Sequence, residues 1–396
     1  MGEIITYNVK IQFPNPQEEK FWLELLKEER DAFNLASKLV YTNKPKIDLK
    51  EVFDLVYHKI RNTSKLLPAQ GANKVIKEVI GCFRSIRSNG FIITEAPEKK
   101  NLSMRLDKRM YSHLEKNSIK ITSSEKGKRI LINFQTYPKF NEMAEKYVMR
   151  DPLIFNRDGT FYLSVSFDVP EKPVQNETVL GVDLGIRRLY TTSDGTSLLG
   201  KEFSRNKRRI RYLKRMLKHT NTSSSKKHLL KVRHYEHNFS KKYIELAVNE
   251  LLKTDKSVIV IEDLTGLKTN KKGKRSKAHN NRISQVPFYL FKQILSYKAP
   301  LVGKTVETVN PAYTSQIDSM TGKKEGERKF VRFYSTSGTV YDADWNAANN
   351  IARKSEHPFS CEVPFDGSLH FLGRLLSTSQ KFDRDSVEPT EQASIL

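Results

Sequence analysis

The feature that most constrains this chain is a carboxylate set inside an apolar strand. Residues 179–189 read VLGVDLGIRRL, an apolar strand pattern interrupted by Asp183, with Gly181 and Gly185 on either side. A buried carboxylate is costly unless something cationic neutralises it, and glycines let a ligand or another backbone approach closely. The pattern favours a metal or phosphate site. The alternative is an aspartate at a strand end that faces water.

Two later segments carry acids in similar surroundings. Residues 257–264, SVIVIEDL, are an apolar strand pattern that ends at Glu262, and residues 341–354, YDADWNAANNIARK, are a helical pattern that begins with Asp342 and Asp344. Carboxylates that converge from separate elements suit hard divalent cations such as Mg²⁺. Two such ions can clamp the attacking and leaving oxygens of a phosphodiester. The three acidic segments therefore predict a divalent-cation site.

The segments GVDLG, IEDL and DADWNAANNIA together resemble the three parts of a split RuvC nuclease domain. The closest resemblance is to TnpB, the RNA-guided nuclease carried by insertion sequences, and to the related type V CRISPR effectors. Residues 281–289 and 309–316 also resemble TnpB, and the resemblance is specific from about residue 179 to residue 352. It implies an α/β fold with a ribonuclease H-like RuvC domain, preceded by an α+β wedge barrel with a helical recognition insert.

The resemblance also implies roles for the acids. Asp183, Glu262 and Asp344 would be the catalytic residues and the ligands of two Mg²⁺ ions, or Mn²⁺. Asp344 takes the third position because it lies two residues before the Asn-Ala-Ala run, and Asp342 is predicted to cap the helix. The implied activity is that of a Mg²⁺-dependent, RNA-guided endodeoxyribonuclease associated with an insertion sequence or derived from one. The alternative is a protein that binds RNA and DNA without cutting, as a repressor or targeting factor.

The charge of the chain agrees with nucleic-acid partners. Its 396 residues include 69 Lys and Arg against 45 Asp and Glu, a formal net charge of +24, and cations at phosphates release counterions. The implied partners are a guide RNA and a target DNA with a short adjacent motif, and a homodimer is the assembly considered. No run is long and apolar enough to span a bilayer, the first residues lack a signal core, and only two cysteines are present. A prokaryotic cytosol or nucleoid location is expected.

Two basic segments are predicted to contact nucleic acid. Residues 201–218 are KEFSRNKRRIRYLKRMLK, a helix with one apolar stripe and otherwise cationic, followed by a polar break at 221–225 and a second helix over about 226–252. Residues 268–282, KTNKKGKRSKAHNNR, are expected to form a loop that is mobile when free. Solvated surfaces are the alternative for both. The predicted contact residues are Lys207, Arg208, Arg209, Arg211, Lys214, Arg215, Lys271, Lys272, Lys274 and Arg275.

Changes of pattern, together with the resemblance, give a domain layout. Apolar alternation predicts strands near the start and over 118–122, 129–134 and 161–167, with helices over about 17–41, 49–61 and 68–87 between them. The expected domains are a wedge-like β-barrel (1–16 and 95–175), a helical recognition domain (17–94), the RuvC domain (176–302 and 340–356) with a basic helical hairpin (201–252), a degenerate zinc-finger or target nucleic-acid-binding insert (303–339), and a partly disordered C-terminal segment (357–396).

The insert departs from the family pattern. TnpB usually carries two Cys pairs there, which hold a zinc ion. The aligned positions of this chain are Asp318, Thr321, Tyr334 and Ser337. None of them supplies a thiolate, so no zinc is expected. Either the finger has decayed or packing replaces the metal, with Phe330, Phe333 and Tyr334 as candidates.

Other classes of enzyme find less support in the sequence. GVDLG also resembles the first phosphate loop of actin-like and chaperone ATPases, which share the ribonuclease H-like core. Those ATPases need further Gly-rich phosphate and adenosine motifs, and the chain contains neither these nor a GxxxxGK[ST] loop. It also contains no HExxH metalloprotease motif and no GxSxG nucleophile elbow.

Overall fold

The computed structural model describes residues 2–112, 114–115, 117–122, 129–174, 176–264 and 287–359, and the backbone of residues 370–371. These residues form two compact units, one from Gly2 to Val169 and the other from Pro170 onward. Among the helices in these ranges, none is both long enough and apolar enough to cross a bilayer.

The amino-terminal unit combines an antiparallel sheet with helices. Its strands are β1 (Glu3–Gln12), β2 (Ser103–Arg105), β3 (Ser118–Thr122), β4 (Arg129–Gln135), β5 (Leu153–Arg157) and β6 (Thr160–Val169), in the order β2-β5-β6-β1-β4-β3. Its helices are α1 (Pro16–Asn43), α2 (Leu49–Thr63), α3 (Ala69–Ser88) and α4 (Pro138–Lys146). The strands and helices predicted from periodicity are confirmed within two residues at each end, because their apolar faces are long and regular.

The three long helices of this unit pack on one another and contain a buried charge cluster. Glu29, on α1, is only 2% exposed, and both of its carboxylate oxygens lie 2.7–2.8 Å from Lys99 Nζ. Lys99 also lies 3.2 Å from Glu78 Oε2 on α3. The extended segment before Lys99 is held on α1 by Ser37, whose hydroxyl donates to Pro97 O at 2.7 Å. The cluster therefore ties the return segment to two helices.

The second unit is built on a mixed sheet. Its strands are β7 (Val179–Leu184), β8 (Arg188–Thr192), β9 (Thr196–Leu199), β10 (Val258–Glu262), β11 (Thr305–Val309) and β15 (His370–Phe371), in the order β11-β10-β7-β8-β9-β15. Strands β7, β8 and β9 form an antiparallel meander, whereas β10 runs parallel to both β7 and β11. A separate three-stranded sheet contains β12 (Glu327–Lys329), β13 (Arg332–Tyr334) and β14 (Val340–Asp342).

Helices cover both faces of the mixed sheet. They are α5 (Lys201–Thr220), α6 (Ser223–Leu251), α7 (Phe288–Leu301) and α8 (Ala343–Ala352). On one face, strand residues such as Val182 and Ile261 pack with apolar residues of α6 and α7. The break predicted at 221–225 is shorter than expected, because the Thr222 side chain accepts from Ser225 N at 3.1 Å and α6 begins directly after it.

Helix α8 lies on the opposite face, in direct contact with β7. The contact depends on Gly181, where an added Cβ would lie 2.0 Å from Ala348 O and 2.7 Å from Ala352 N. Such distances are far inside van der Waals contact, so only glycine lets the helix come this close. Val260 and Ile351 complete this smaller core. The helix position relative to the strand is therefore fixed by backbone contact.

Candidate active site

Two of the predicted acids end adjacent parallel strands. Val182 of β7 pairs with Ile261 of β10, so Asp183 and Glu262 occupy the next position along the two strands. Neighbouring strands lie about 4.8 Å apart. Because side chains alternate between faces, Asp183 shares a face with Gly181, which is the face that α8 covers. The register thus brings these two acids together at the carboxyl ends of the strands.

The third acid lies in the first turn of α8. Asp342 is the N-cap of this helix, since its Oδ1 accepts from Asp344 N at 2.9 Å and from Trp345 N at 3.1 Å. This confirms the predicted cap. Asp344 precedes Ala348 and Ala352 by four and eight residues, and positions with this spacing share one helix face. That face lies on β7, so Asp344 is on the side of α8 that faces the strand acids.

The electrostatics of Asp183 reflect this crowding. Burial raises the pKa of Asp183 well above its usual range, and the Asp344 and Glu262 carboxylates raise it further, while Arg328 opposes the shift. Like charges disfavour ionisation only when they are close together. The three predicted acids are therefore near enough to interact electrostatically.

Two arginines that the sequence reasoning missed engage Asp344. Arg188 of β8 places Nη1 at 2.6 Å from Asp342 Oδ1 and 3.0 Å from Asp344 Oδ2. Arg328 of β12 places Nη2 at 2.7 Å from Asp344 Oδ1. Arg188 had a local signal, because it lies only five residues after Asp183 in the same segment, 179–189. Arg328 had none, since its position depends on how the insert folds back.

Glu262 is held by the segment that follows β11. Burial raises the pKa of Glu262, while a hydrogen bond from Thr314 and the charge of Lys354 oppose the shift. Thr314 Oγ1 donates directly to Glu262 Oε1. The Asn350 side chain of α8 donates to Thr314 O at 2.9 Å, and Lys354 Nζ donates to Ala312 O at 2.6 Å. The part of the TnpB-like stretch 309–316 around Thr314 therefore positions a candidate catalytic acid.

A buried carboxylate organises the insert. Asp318 is fully buried, accepts from Met320 N at 2.9 Å and accepts a hydrogen bond from the Tyr341 hydroxyl. Burial acts to raise the pKa of Asp318, but its hydrogen bonds outweigh burial and lower it. The neighbouring Ser319 N donates to Asn346 Oδ1 of α8 at 2.7 Å. Polar contacts to α8 thus fix the segment where the family pattern places its first Cys pair.

Aromatic packing supports the other half of the insert, in part as predicted. Phe333 is 1% exposed and stacks on Tyr341 with 5.6 Å between ring centroids, and Tyr341 meets Trp345 edge-on at 5.5 Å. The packing role predicted for Phe333 is confirmed. It is wrong for Phe330, which is 88% exposed at the turn between β12 and β13, and for Tyr334, which lies on the outward face of β13.

Among the residues that the structure describes, no group of three or more His, Cys, Asp or Glu side chains is arranged to hold a metal ion. At the acids, Asp344 is bonded to arginines and Glu262 to Thr314. A cation at this end of the sheet would therefore exchange places with protein donors.

The basic helical hairpin divides its cations into two groups. Lys207 and Lys214 each place Nζ at 2.6 Å from Glu236 on α6, so two predicted contact residues form internal ion pairs. Arg208, Arg209, Arg211 and Arg215 are exposed. The first half of α6 adds cations that the sequence reasoning left out, namely Lys226, Lys227, Lys231 and Arg233. The predicted contacts Lys271, Lys272, Lys274 and Arg275 lie outside the described residues, as does most of the C-terminal segment.

Comparisons with known proteins give a consistent family. Residues 288–351 match the family model of the Cas12f1-like TNB domain. The protein named "Putative RNA-guided DNA endonuclease InsQ" of Escherichia coli (strain K12) is 26% identical over 238 residues, covering 54% of this chain and 58% of that protein. The TnpB-like protein MJ0751 of Methanocaldococcus jannaschii is 31% identical over 137 residues, covering 34% of this chain and 46% of that protein. The chain thus spans about half the length of these two relatives.

A solved structure shows the same fold. The structure of a Cas12f1–sgRNA–target DNA complex contains a chain that superposes with a TM-score of 0.63 at 16% identity, covering 85% of this chain and 83% of that chain. At this identity the likeness concerns the fold alone, and it confirms a mixed α/β architecture like that of the Cas12f1 chain. Taken with the family model and the two relatives, it confirms the resemblance indicated by the acidic motifs: this chain is similar to the TnpB-like proteins, and its residues 288–351 match a Cas12f1-like TNB domain.

Proposed function

We propose that this protein is an RNA-guided DNA endonuclease that cleaves phosphodiester bonds by a metal-dependent RuvC mechanism. The observation that carries the proposal is the strand register, which sets Asp183 beside Glu262 under the first turn of α8, where Asp344 lies. The mixed sheet, an antiparallel meander extended by parallel strands and covered by helices, is what a ribonuclease H-like domain requires. InsQ, a relative, is described as an RNA-guided DNA endonuclease.

The chemistry of the three acids suits a hard divalent cation, but their side chains are not arranged around one in this structure. Three carboxylates from separate elements supply the oxygen ligands that Mg²⁺ and Mn²⁺ prefer. When bound, such ions supply Lewis-acid activation of the phosphate and an activated water. Asp183, Glu262 and Asp344 would hold them. Thr314 would keep Glu262 oriented, and Arg188 would keep Asp344 oriented through its bond to Oδ2.

Arg328 has a distinct role in this proposal. It binds Asp344 Oδ1 at 2.7 Å, and its side chain is 36% exposed. A guanidinium at this position can pair with a phosphate of the strand to be cut, since Arg matches phosphate geometry bidentately. If a bound cation replaced its contact with Asp344 Oδ1, Arg328 would be free to pair with that phosphate.

The proposed partners are a guide RNA and a target DNA with a short adjacent motif. The exposed arginines of α5 and the cations of the first half of α6 form a basic surface that suits a guide–target duplex. Guide pairing would read the sequence, as in other RNA-guided systems. A homodimer is a further proposal, and light scattering of the purified protein would test it.

The deciding experiment changes one acid at a time. Asp183→Ala is expected to abolish Mg²⁺-dependent cleavage of guided DNA while binding of guide RNA is kept, and Glu262→Gln and Asp344→Asn should behave alike. Asp263→Asn is the matched control, because Asp263 directly follows Glu262 but pairs with Lys292 at 3.8 Å. Unchanged cutting by the Asp183 variant would exclude the assigned site. The guide RNA itself can be sought by sequencing RNA that copurifies with the protein, where one structured species is expected and bulk RNA would count against the proposal.

A second function is favoured by one observation. Arg188 and Arg328 together engage both carboxylate oxygens of Asp344, an arrangement that suits a protein that binds RNA and DNA without cutting them. The same assay separates the two functions. The repressor or targeting role would be supported if the wild-type protein binds RNA and DNA but does not cut the DNA in the presence of Mg²⁺ or of Mn²⁺.

A further inference from the structure

Two exposed aromatic side chains lie within two residues of side chains that contact Glu262 and Asp344. Tyr313 is 56% exposed and Phe330 is 88% exposed. Both have positive φ, 66° and 55° respectively. In the described ranges only five non-glycine residues share this backbone state; the others are Lys44, Asp158 and Asn221, which lie at helix ends or in a turn. Bulky residues seldom adopt the left-handed region, so folding alone gives little reason for aromatics here.

Phe330 is fixed close to Asp344. Two residues before it, Arg328 donates to Asp344 Oδ1 at 2.7 Å. Directly after it, Val331 O accepts from Ala343 N, the first residue of α8, at 2.9 Å. The hairpin is anchored from below by Phe333, which is buried against Tyr341. The backbone on both sides of the exposed Phe330 ring is therefore held in place, and one of these neighbours, Arg328, contacts Asp344.

Tyr313 is fixed in a comparable way beside Glu262. Its neighbour Thr314 donates to Glu262 Oε1, and Tyr313 O accepts from Gln316 N at 2.9 Å, which closes a turn. Lys324 Nζ lies 4.6 Å from the centroid of the Tyr313 ring. A cation on one side of an exposed ring is a common companion of base stacking, because it also attracts phosphate.

The charge around Phe330 fits a polyanion. Lys329 and Arg332 are directly opposite each other in the β12–β13 register and flank the turn. Like charges in opposed positions destabilise a hairpin, and the ion pair between Lys329 and Glu327, although only 2.8 Å long, is exposed and therefore weak. A bound phosphate between the two cations would offset their repulsion.

We propose that Phe330 and Tyr313 are stacking platforms for bases of a single DNA strand, one on each side of the phosphate presented to the acids. Bases of a duplex stack on one another, so exposed aromatic rings select an unpaired strand. The positive φ of each aromatic residue is unfavourable for the backbone, and ligand binding would explain why it is retained. The proposal rests on the proposed nuclease function for its reaction, but stacking itself needs no metal and no cleavage.

The experiment reads base stacking locally. In the Asp183→Asn background with EDTA, single-stranded oligothymidines of about 12 nucleotides carry one 2-aminopurine at successive positions. At saturating protein, fluorescence is expected to be quenched at two positions. Phe330→Ala should relieve one and Tyr313→Ala the other, each also lowering affinity about five- to hundredfold. Phe330→Trp should restore quenching. Phe91→Ala, a 70% exposed aromatic in the amino-terminal unit, is the matched control and should change neither.

The outcomes separate this inference from the nuclease proposal. If neither Phe330→Ala nor Tyr313→Ala relieves quenching at any 2-aminopurine position, the stacking inference is wrong. This holds even if the protein cuts DNA. If the wild-type protein does not cut but the quenching follows both aromatic residues, the nuclease proposal falls and the stacking surface stands. Thermal unfolding of each variant confirms that it is folded at the assay temperature. Equal effects of Phe91→Ala and Phe330→Ala would overturn the assignment as non-specific.

Discussion

A single side chain, Arg188, connects the cap of α8 to its candidate catalytic acid. Its guanidinium bonds both Asp342 and Asp344, and all three side chains are 12–19% exposed. Removing one partner from a mostly buried ion pair leaves the other charge uncompensated, and this is the expensive part of such pairs. Arg188 therefore contributes to the order of the site as well as to its charge balance.

Replacing Arg188 with Met is expected to lower the free energy of unfolding of this unit by about 2–3 kcal/mol. Urea unfolding followed by Trp345 fluorescence in a Trp22→Phe background measures it, since Trp345 lies beside Tyr341. With Asp342→Asn already present, the loss should be smaller, because the two changes remove one interaction. Arg150→Met, which breaks an exposed pair with Asp168 in the other unit, should leave this signal unchanged. Additive effects of the Arg188 and Asp342 changes would contradict the coupling.

Glu29 gives the amino-terminal unit a predicted pH dependence. Burial raises the pKa of Glu29 from its usual 4.5 to about 7, with Lys99 lowering it and Glu78 raising it. The folded state therefore holds this proton more tightly than the unfolded chain. The stability that this group contributes is full below about pH 4.5, falls as the pH rises toward about 7, and is lost above that. Glu29→Gln should flatten that part of the profile.

Urea titrations between about pH 4.5 and pH 8, followed by Trp22 fluorescence in a Trp345→Phe background, measure the effect. Trp22 is buried on α1, the helix that carries Glu29. Identical pH profiles for the wild-type side chain and for Gln at position 29 would show that the carboxyl does not titrate abnormally.

The acids could be found from the sequence because their signal is local. Asp183 and Glu262 each end a run of strand-forming apolar residues, and the pattern shows the cost of burying them. Arg328 and Thr314 could not be found in this way, since each reaches the site from the insert after β11. Nothing in the residues beside them specifies that contact. Their roles depend on tertiary packing.

At the scale of elements, the insert keeps its connection to α8 without thiolates. Asp318 accepts from Met320 N and from the Tyr341 hydroxyl, and the Asn346 side chain both accepts from Ser319 N and donates to Ile317 O at 2.8 Å. Asn346, in the Asn-rich stretch of α8, supplies the last two of these hydrogen bonds. The sequence alone showed that this stretch is rich in Asn but not what the side chains contact. A buried carboxylate and amide hold the segment where two cysteines are usual.

Asp318→Ala is expected to destabilise this unit by about 2–3 kcal/mol, because the Tyr341 hydroxyl and Met320 N–H lose their acceptor in a buried site. Asp318→Asn should cost less, since one oxygen is retained. Trp345 fluorescence during urea unfolding reports the change. In buffer without added Mg²⁺, EDTA should leave the wild-type melting temperature unchanged. A fall in the melting temperature on chelation would mean that a metal stabilises the fold.

Secondary structure was predictable where an element has its own apolar face, and less so where contacts decide. Strand β3 was predicted to the residue, and α1 to within two residues at each end. Phe330 was misplaced because it lies in the turn between β12 and β13, and Tyr334 because β13 alternates and turns Phe333 inward instead. The register of a short hairpin is set by its partners.

Across the whole molecule, the cations behind the net charge of +24 fall into two groups with different roles. Some cations are committed to internal pairs, as Lys207 and Lys214 are to Glu236. Others, such as Arg208 and Arg211, are exposed. Counting charges therefore overstates the number that can meet a phosphate backbone.

Binding of an RNA–DNA hybrid of about 20 base pairs should distinguish the two groups. Arg211→Gln is expected to weaken binding and to reduce the slope of log affinity against log salt by about 1. Lys207→Gln is the matched control on the same helix, and should alter the salt slope little while lowering stability through the loss of its pair with Glu236. Fluorescence anisotropy at several salt concentrations measures both. Equal slopes for the two variants would refute the division.

The close seat of α8 on β7 has a consequence for how such a protein can change. The separation of Asp183 on the strand from Asp344 on the helix depends on Gly181, because this residue has no Cβ to hold the helix away. Any other side chain at that position would push the helix outward and carry Asp344 away from Asp183, although every carboxylate was kept. A substitution at residue 181 would therefore disrupt the proposed site, although the sequence would still contain all three acidic motifs.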